Sequence, residues 1–516
     1  MSRIGHFGRG VSTAYLLLAT NTLYSLASVP LGLNYLSKAE FGLWAIVLQL
    51  VGYLQLIEMG MTSAFSRLLI DYRGREAEKG YGRLCSSAVA ALVVQAVLMT
   101  VAGIAVAFLM ASHLGIEPGL SSEFRRLMIA QSCLVGVVYT TRIFSLLLFA
   151  HHRIAINNVV QIICLAFSIV AMWAALHAGM GIYALPCSIV VGLLVSLPIS
   201  ILMTLRLKIL PQSWHLPDME SLKAIFSFGR DIFLIHVGSM LISASQVIII
   251  TKVLGLEAAA IWAVCIRPFH LLTRFCWRPI DLAYTFFSEM FVKGETERLR
   301  DRYHSLLGVT LLLVAVGAVG LAVCNGPFVE VWTGGRIDWN PVNDLLLGLW
   351  MIGLTVARFG SYTIQATKQI RGLKYVYFVE GVIFIGLGLL VTRVSGIAGM
   401  LVLSIVLTIA ITGSYCSWRM CRLFDEPIGA NLKAWFVPPA KILLFLGLAA
   451  WAVSLLTADL PALARFILNG STVALGGVAM MRFVVGPELK LEILSRVPRR
   501  VSSVLERLWG RPRVES

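Results

Sequence analysis

Apolar runs of about 20 residues recur along this chain almost from end to end. A run of that length is what an α-helix needs to cross a hydrocarbon core of roughly 30 Å. Lipid offers backbone groups no hydrogen-bond partners, so such runs are confined to helices that close their own bonds. Fourteen spans are predicted, near 11–33, 41–66, 84–112, 124–149, 155–177, 180–205, 230–253, 259–290, 303–324, 343–366, 373–392, 397–418, 436–456 and 461–484. Hydrophobic residues make up 58% and charged residues only 14%, against about 25% charged in soluble domains. The expected fold class is therefore all-α, a polytopic integral membrane protein with about fourteen transmembrane helices. The first span follows Arg3 and Arg9 and continues through Pro30. It is too long for the apolar core of a signal peptide and is read as an uncleaved helix.

Lys and Arg set the orientation. With the N-terminus inside, cytoplasmic segments hold 31 of the 43 basic residues, and external segments hold Lys38, Arg125, Arg126, Lys252, Arg336, Arg393 and Arg465. This bias predicts a multi-pass protein with both termini cytoplasmic, and an even number of spans agrees. The net charge of +16 is spread over many short loops, so it does not indicate nucleic acid. Nine cysteines are scattered, mostly in apolar runs, without CxxC or metal-ligand spacing. They read as packing residues, and neither a disulfide framework nor a bound metal is expected.

The two halves resemble each other. Leu36 to Ala45 (LSKAEFGLWA) aligns with Leu254 to Ala263 (LGLEAAAIWA) at an offset of 218; Tyr81 aligns with Tyr303, and Gly181-Ile182 with Gly396-Ile397. The expected organisation is an N-terminal six-helix bundle (1–206), a cytoplasmic linker (207–229) and a second six-helix bundle (230–419). Two additional spans (420–486) and a basic cytoplasmic tail (487–516) would follow. Parallel repeats of this kind are a transporter architecture, with the ligand between the halves.

One stripe carries the chemistry. Arg267, His270, Arg274, Arg278 and Asp281 follow at steps of 3, 4, 4 and 3, which places them within an arc of about 80° on one helix. An Arg at a bilayer centre costs roughly 2.5–3.5 kcal/mol, so three facing lipid would cost about 8–10 kcal/mol. They must face protein or water. Span two carries Gln55, Glu58, Thr62 and Ser66; span four carries Gln131 and Arg142; span seven His236, Ser239, Ser243 and Gln246; span ten Arg358, Ser361 and Gln365. Spans two and eight, and spans four and ten, are repeat equivalents.

The reading is a central hydrated cavity in which Arg142, Arg267, Arg274, Arg278 and Arg358 bind phosphate or pyrophosphate, whose oxygen pairs suit the guanidinium fork. His270, Gln55, Gln131 and Gln365 would line it. The competing reading is ion pairing between spans, Arg278 with Asp281 and Glu58 with a neighbour. Glu58 and Asp281 are the only carboxylates placed well inside spans, and are the candidates for ion coupling. Pro268 and Pro279 bracket Arg274 and predict a bend in span eight. His151-His152, adjacent in a short turn, are not expected to share a metal.

There is no Walker A loop, no G-x-G-x-x-G in a βαβ context, no H-E-x-x-H and no G-x-S-x-G. No cofactor, catalytic residue or ATP hydrolysis is expected, so energy would come from a gradient or from mass action. No external loop exceeds about twenty residues, which argues against the enzyme rival, a membrane glycan polymerase or ligase.

Leu31 to Trp44 (LGLNYLSKAEFGLW), Gly52 to Gly60 (GYLQLIEMG) and Ser66-Arg67 resemble the opening of bacterial polysaccharide flippases (O-antigen and exopolysaccharide, Wzx-type) of the multidrug/oligosaccharidyl-lipid/polysaccharide (MOP) exporter superfamily. Leu254 to Trp262 and Gly396-Ile-Ala-Gly399 fit the same pattern, so the resemblance extends to about Trp418. It implies a MATE-like, V-shaped pair of six-helix bundles rocking between inward- and outward-open states in the bacterial inner membrane. The implied cargo is an undecaprenyl-pyrophosphate-linked oligosaccharide, moved to the periplasmic leaflet for exopolysaccharide, O-antigen or capsule synthesis. Ion-coupled antiport, and glycan polymerase or export machinery as partners, come with it. Glu58 departs from the Asp common near this position in relatives. The cationic stripe disfavours a multidrug-type exporter of lipophilic cations. A peptidoglycan lipid-precursor flippase is the nearer alternative.

Overall fold

The computed structural model describes residues 3–58, 65, 78–114, 116, 118–151, 153–211, 213–367 and 369–484. Thr62, Ser66, His152 and the basic tail lie outside them. The described residues form helices joined by short turns, with no strand among them. The chain folds as two compact units, Met1–Ala263 and Val264–Ser516.

The first unit holds α1 (Arg3–Tyr35), α2 (Lys38–Leu54) with a 3₁₀ turn at Gln55–Glu58, α3 (Glu78–His113), α4 (Pro118–Thr141), α5 (Ile143–Ala150), α6 (Ile154–His177), α7 (Ala184–Arg206), α8 (Met219–Ser243), α9 (Ser245–Leu254) and most of α10 (Leu256–Cys265). Ser37 caps α2: its hydroxyl accepts from the Glu40 N–H at 3.2 Å, and the Glu40 carboxylate accepts from the Ser37 N–H at 2.8 Å. This reciprocal box satisfies donors that the first turn leaves open. The Trp44 indole N–H then donates to the Ile182 carbonyl at 2.7 Å, tying α2 to the turn before α7.

The second unit holds the end of α10, α11 (Arg267–Cys276), α12 (Arg278–Val292), α13 (Thr296–Thr333), α14 (Pro341–Ala366), α15 (Arg371–Leu407) with a π turn at Thr408–Gly413, α16 (Ser414–Phe424), α17 (Ile428–Leu456) and α18 (Ala462–Val484). The last two pack on α13 through a core of Leu312, Ala315, Val319, Ile442, Leu446, Ala450 and Val473.

Lipid tails are as apolar as leucine, so apolar burial alone does not pull these helices together. Small-residue contacts and interhelical hydrogen bonds, worth about 0.6–2 kcal/mol each, do more. Gly103 on α3 lies so close to the Ser132 side chain on α4 that a Cβ there would collide with it. The Trp350 indole donates to Thr408 Oγ1 at 3.1 Å, and Asn469 Nδ2 to the Val323 carbonyl at 3.1 Å.

Among the described residues twelve helices are long and apolar enough to cross a membrane, thirteen when the bent pair α4–α5 counts as one. The run Arg371–Phe424 has 54 residues, about 80 Å at 1.5 Å per residue. It turns at Gly396, whose φ of 60° and ψ of −150° suit a residue without a Cβ. That run therefore supplies the two crossings expected near 373–392 and 397–418. In span eight Ile266 and Trp277 separate α10, α11 and α12 while keeping helical backbone angles, and Pro268 and Pro279 sit in the first turns of α11 and α12. A proline there forfeits no intrahelical bond. The single-helix stripe is thus divided, with Arg267, His270 and Arg274 on α11 and Arg278 and Asp281 on α12.

Candidate functional site

Two arginine–carboxylate nodes organise the polar residues, one in each unit. In the first, the 3₁₀ turn after α2 ends on Glu58. Gln95 of α3 is 2% exposed and donates its Nε2 to the Glu58 carbonyl at 3.0 Å, holding the end of that turn. Glu58 Oε2 accepts from Arg142 Nη1 at 2.9 Å and from the Tyr139 hydroxyl at 2.9 Å. Arg142 lies where α4 gives way to α5 across a 41° bend, and its guanidinium carbon is 5.1 Å from the Tyr139 ring centroid. The Arg142 and Glu58 side chains are 33% and 19% exposed, so the pair is reachable by a polar ligand.

In the second node Asp281 occupies the first turn of α12, where the helix dipole favours a negative charge. Arg358 of α14 donates Nη2 to Asp281 Oδ1 at 3.0 Å and to the Tyr362 hydroxyl at 2.7 Å. Its guanidinium carbon lies 4.5 Å from the Trp277 ring and 4.3 Å from the Tyr362 ring. The Trp277 indole donates to Thr355 Oγ1 at 3.0 Å, and Tyr284 meets Tyr362 edge-on at 6.1 Å. Each cation–π contact contributes about 0.5–2 kcal/mol. The buried Arg358 Nε has no acceptor among the described residues.

The remaining predicted residues are not drawn into these nodes. Arg267 opens α11 and is half-buried; Arg274 and Arg278 are exposed, and neither makes an ion pair among the described residues. His270 is exposed beside the Phe269 ring, 5.4 Å between centroids. Gln55 is exposed and Gln365 half-buried; Gln365 follows Arg358 by seven residues and so shares its face of α14. Gln131 is 1% exposed, and its Nε2 has no partner among the described residues. Two expectations need correction. Asp281 pairs with Arg358, not with Arg278, because α14 brings a guanidinium to it while the Arg278 side chain points to the exposed side.

Glu58 and Asp281 are also not the only carboxylates inside spans. Asp344, 1% exposed, accepts from Asn325 Nδ2 at 2.5 Å and from the Trp339 indole at 2.8 Å. Glu380, 2% exposed, accepts from the backbone N–H of Thr412 at 3.2 Å and from the Thr412 hydroxyl. Both fall within the predicted spans 343–366 and 373–392, so a scan of those spans for acids finds them. The aromatic partners Tyr139, Trp277 and Tyr362 were also missed. Tyr139 and Arg142 at i,i+3, and Arg358 and Tyr362 at i,i+4, are a signal the sequence does contain.

No curated protein matches the chain by sequence. Among solved structures, an inward-facing multidrug resistance MATE-family transporter of the MOP superfamily superposes with a TM-score of 0.66 at 12% identity, covering 78% of this chain and 95% of that one. The lipid II flippase MurJ in an inward closed conformation gives a TM-score of 0.62 at 12% identity, covering 91% of this chain and 100% of that one. A MOP-superfamily transporter from Pyrococcus furiosus, described as having a binding pocket of reverse polarity that suggests a different function, gives 0.54 at 13% identity, covering 81% and 96%. At these identities the likeness establishes the fold: that of MOP-superfamily transporters, which confirms the expected all-α, MATE-like class. The model of the family described as polysaccharide biosynthesis protein matches residues 8–284, more than half of the chain. This chain belongs to the polysaccharide biosynthesis protein family.

Proposed function

We propose that this protein is a flippase that moves an undecaprenyl-pyrophosphate-linked oligosaccharide from the cytoplasmic to the periplasmic leaflet of a bacterial inner membrane by alternating access. The observation that carries this reading is the surplus of arginine over acid on span eight, where Arg267, Arg274 and Arg278 accompany a single acid, Asp281. Glu58 and Asp281 are each neutralised by an arginine. Arg274 and Arg278 remain exposed without an ion pair among the described residues. A net cationic surface suits a pyrophosphate, whose oxygens accept two parallel guanidinium bonds. It repels the lipophilic cations a multidrug exporter carries. The P. furiosus structure is a precedent for pocket polarity separating functions within this fold.

A second reading, export of a peptidoglycan lipid precursor, is favoured by the 91% coverage in the superposition on MurJ. One experiment addresses both. In cells lacking this chain but retaining the glycosyltransferases, the leaflet holding each lipid-linked glycan is read with a membrane-impermeant glycosidase on spheroplasts and on inverted vesicles. Repeat-unit glycan trapped on the cytoplasmic face, and released by restoring the gene, is the expected result. Trapped peptidoglycan precursor selects the second reading. Glycan already outside but unpolymerised would overturn both in favour of an enzyme. Both termini of the chain are placed in the cytoplasm on this reading, which reporter fusions test directly.

A further inference from the structure

We propose that Glu380 is a proton-binding site that couples transport to a gradient. The coupling rests on the flippase reading; proton binding does not. Four carboxylates, Glu58, Asp281, Asp344 and Glu380, lie within the spans, and they differ in what compensates them. Glu58 is held by Arg142 and Asp281 by Arg358. Protonating either would strand a guanidinium that has lost its counter-charge. Glu380 and Asp344 are 2% and 1% exposed and pair with no cation among the described residues; Asp344 sits in the first turn of α14, where the helix dipole favours its charged form, whereas Glu380 lies inside α15. A carboxylate charge removed from water needs a partner of opposite charge, and neutral hydrogen bonds compensate it only in part.

The groups around Glu380 are suited to a proton and not to a metal ion. The Thr412 backbone N–H and hydroxyl both donate to Oε2, and Thr408 lies one turn earlier. Thr408 is itself oriented by the Trp350 indole, which donates to its oxygen at 3.1 Å. A hard cation needs a cage of lone pairs directed at it, whereas these groups direct hydrogens at the carboxylate. A proton needs only the Thr412 hydroxyl to rotate from donor to acceptor. Thr408 and Thr412 both lie in the π turn Thr408–Gly413, a backbone form that occurs mostly as single turns and often at functional sites.

The titratable groups facing this pocket are Tyr377 on the same helix and Cys416 on α16, with Arg358 on α14 further out. Ser361 of α14 bonds both the Tyr377 hydroxyl (3.0 Å) and the Cys416 thiol (3.3 Å). The pocket is therefore connected through α14 to the helix that carries Arg358, the route by which occupancy at Glu380 would be felt at the second node.

The test is infrared difference spectroscopy on the purified full-length protein in lipid nanodiscs, stepping the pH and following the carbonyl stretch of protonated carboxyl groups. The expected result is a reversible band in the wild type that persists in Glu58→Gln, Asp281→Asn and Asp344→Asn and is lost in Glu380→Gln. Thr412→Val, which keeps the carboxyl but removes one bond, should shift that band. A wild-type spectrum left unchanged by Glu380→Gln, or no titrating band in the wild type, overturns the site. If Glu380→Gln does not fold, an unshifted band in Thr412→Val overturns it instead. In cells, a protonophore should stop glycan export by the wild type and leave residual export by Glu380→Gln unchanged; wild-type export that ignores the protonophore overturns coupling. A Glu380 band together with unaltered glycan leaflets in the deletion strain keeps the proton site and removes the flippase reading.

Discussion

The two arginine nodes are variations on one design, and their differences show how strongly each is held. On the repeat expected from the sequence, both carboxylates belong to second spans and both arginines to fourth spans: Glu58 and Asp281 are 223 positions apart, Arg142 and Arg358 216. These offsets lie close to the 215 to 222 of the sequence matches. The first node sits at backbone breaks, a 3₁₀ turn end and a 41° bend, with one tyrosine beside the guanidinium. The second encloses its guanidinium between an indole and a phenol on a continuous helix. A guanidinium beside two rings is better held than one beside a single ring. Arg358 is accordingly the better fixed of the two arginines.

The largest effect is expected from Arg358→Ala, which leaves Asp281 without its cation and opens a gap between two rings. A loss of about 2–4 kcal/mol is expected, read as a lowered thermal midpoint in detergent, with Arg142→Ala costing about half as much. Equal losses would erase the distinction between the nodes. Double-mutant cycles sharpen it: the coupling energy of Arg358 with Asp281 should be about 1–3 kcal/mol and that of Arg142 with Glu58 about 0.5–1.5 kcal/mol. Arg→Lys keeps the charge but loses the planar stack, so Arg358→Lys should be the more damaging of the two lysine variants in export assays. Smaller again, Tyr139→Phe and Tyr362→Phe each remove one hydroxyl bond, worth about 0.5–1.5 kcal/mol; thermal midpoints measured side by side will rank them. Arg274→Ala should change stability by no more than about 0.5 kcal/mol, because the side chain is exposed. It should nevertheless impair glycan export at normal protein abundance, and unimpaired export would remove Arg274 from the substrate path.

The stripe on span eight shows where sequence reading succeeds and where it stops. The helical spacing from Arg267 to Asp281 and the two prolines were visible in one dimension, and the prolines sit in the first turns of α11 and α12. The partner of Asp281 was not visible. Arg278, three residues away on the same helix, satisfied every local rule, yet the observed partner is Arg358, 77 residues away. Glu58 shows the same: its need for a neighbour was legible, but Arg142 as that neighbour was one choice among several intramembrane arginines. Glu380 and Asp344 were legible as acids within spans, though not that both are sealed from water.

The membrane class and the span positions follow from sequence, because lipid imposes a one-dimensional rule: length and apolarity decide which segments cross. Which arginine neutralises which acid, which rings enclose a guanidinium, and that Glu380 stands without a cation were decided only in three dimensions. Side-chain pairing inside a helical bundle depends on rotation and depth between helices, and short-range spacing along the chain encodes neither.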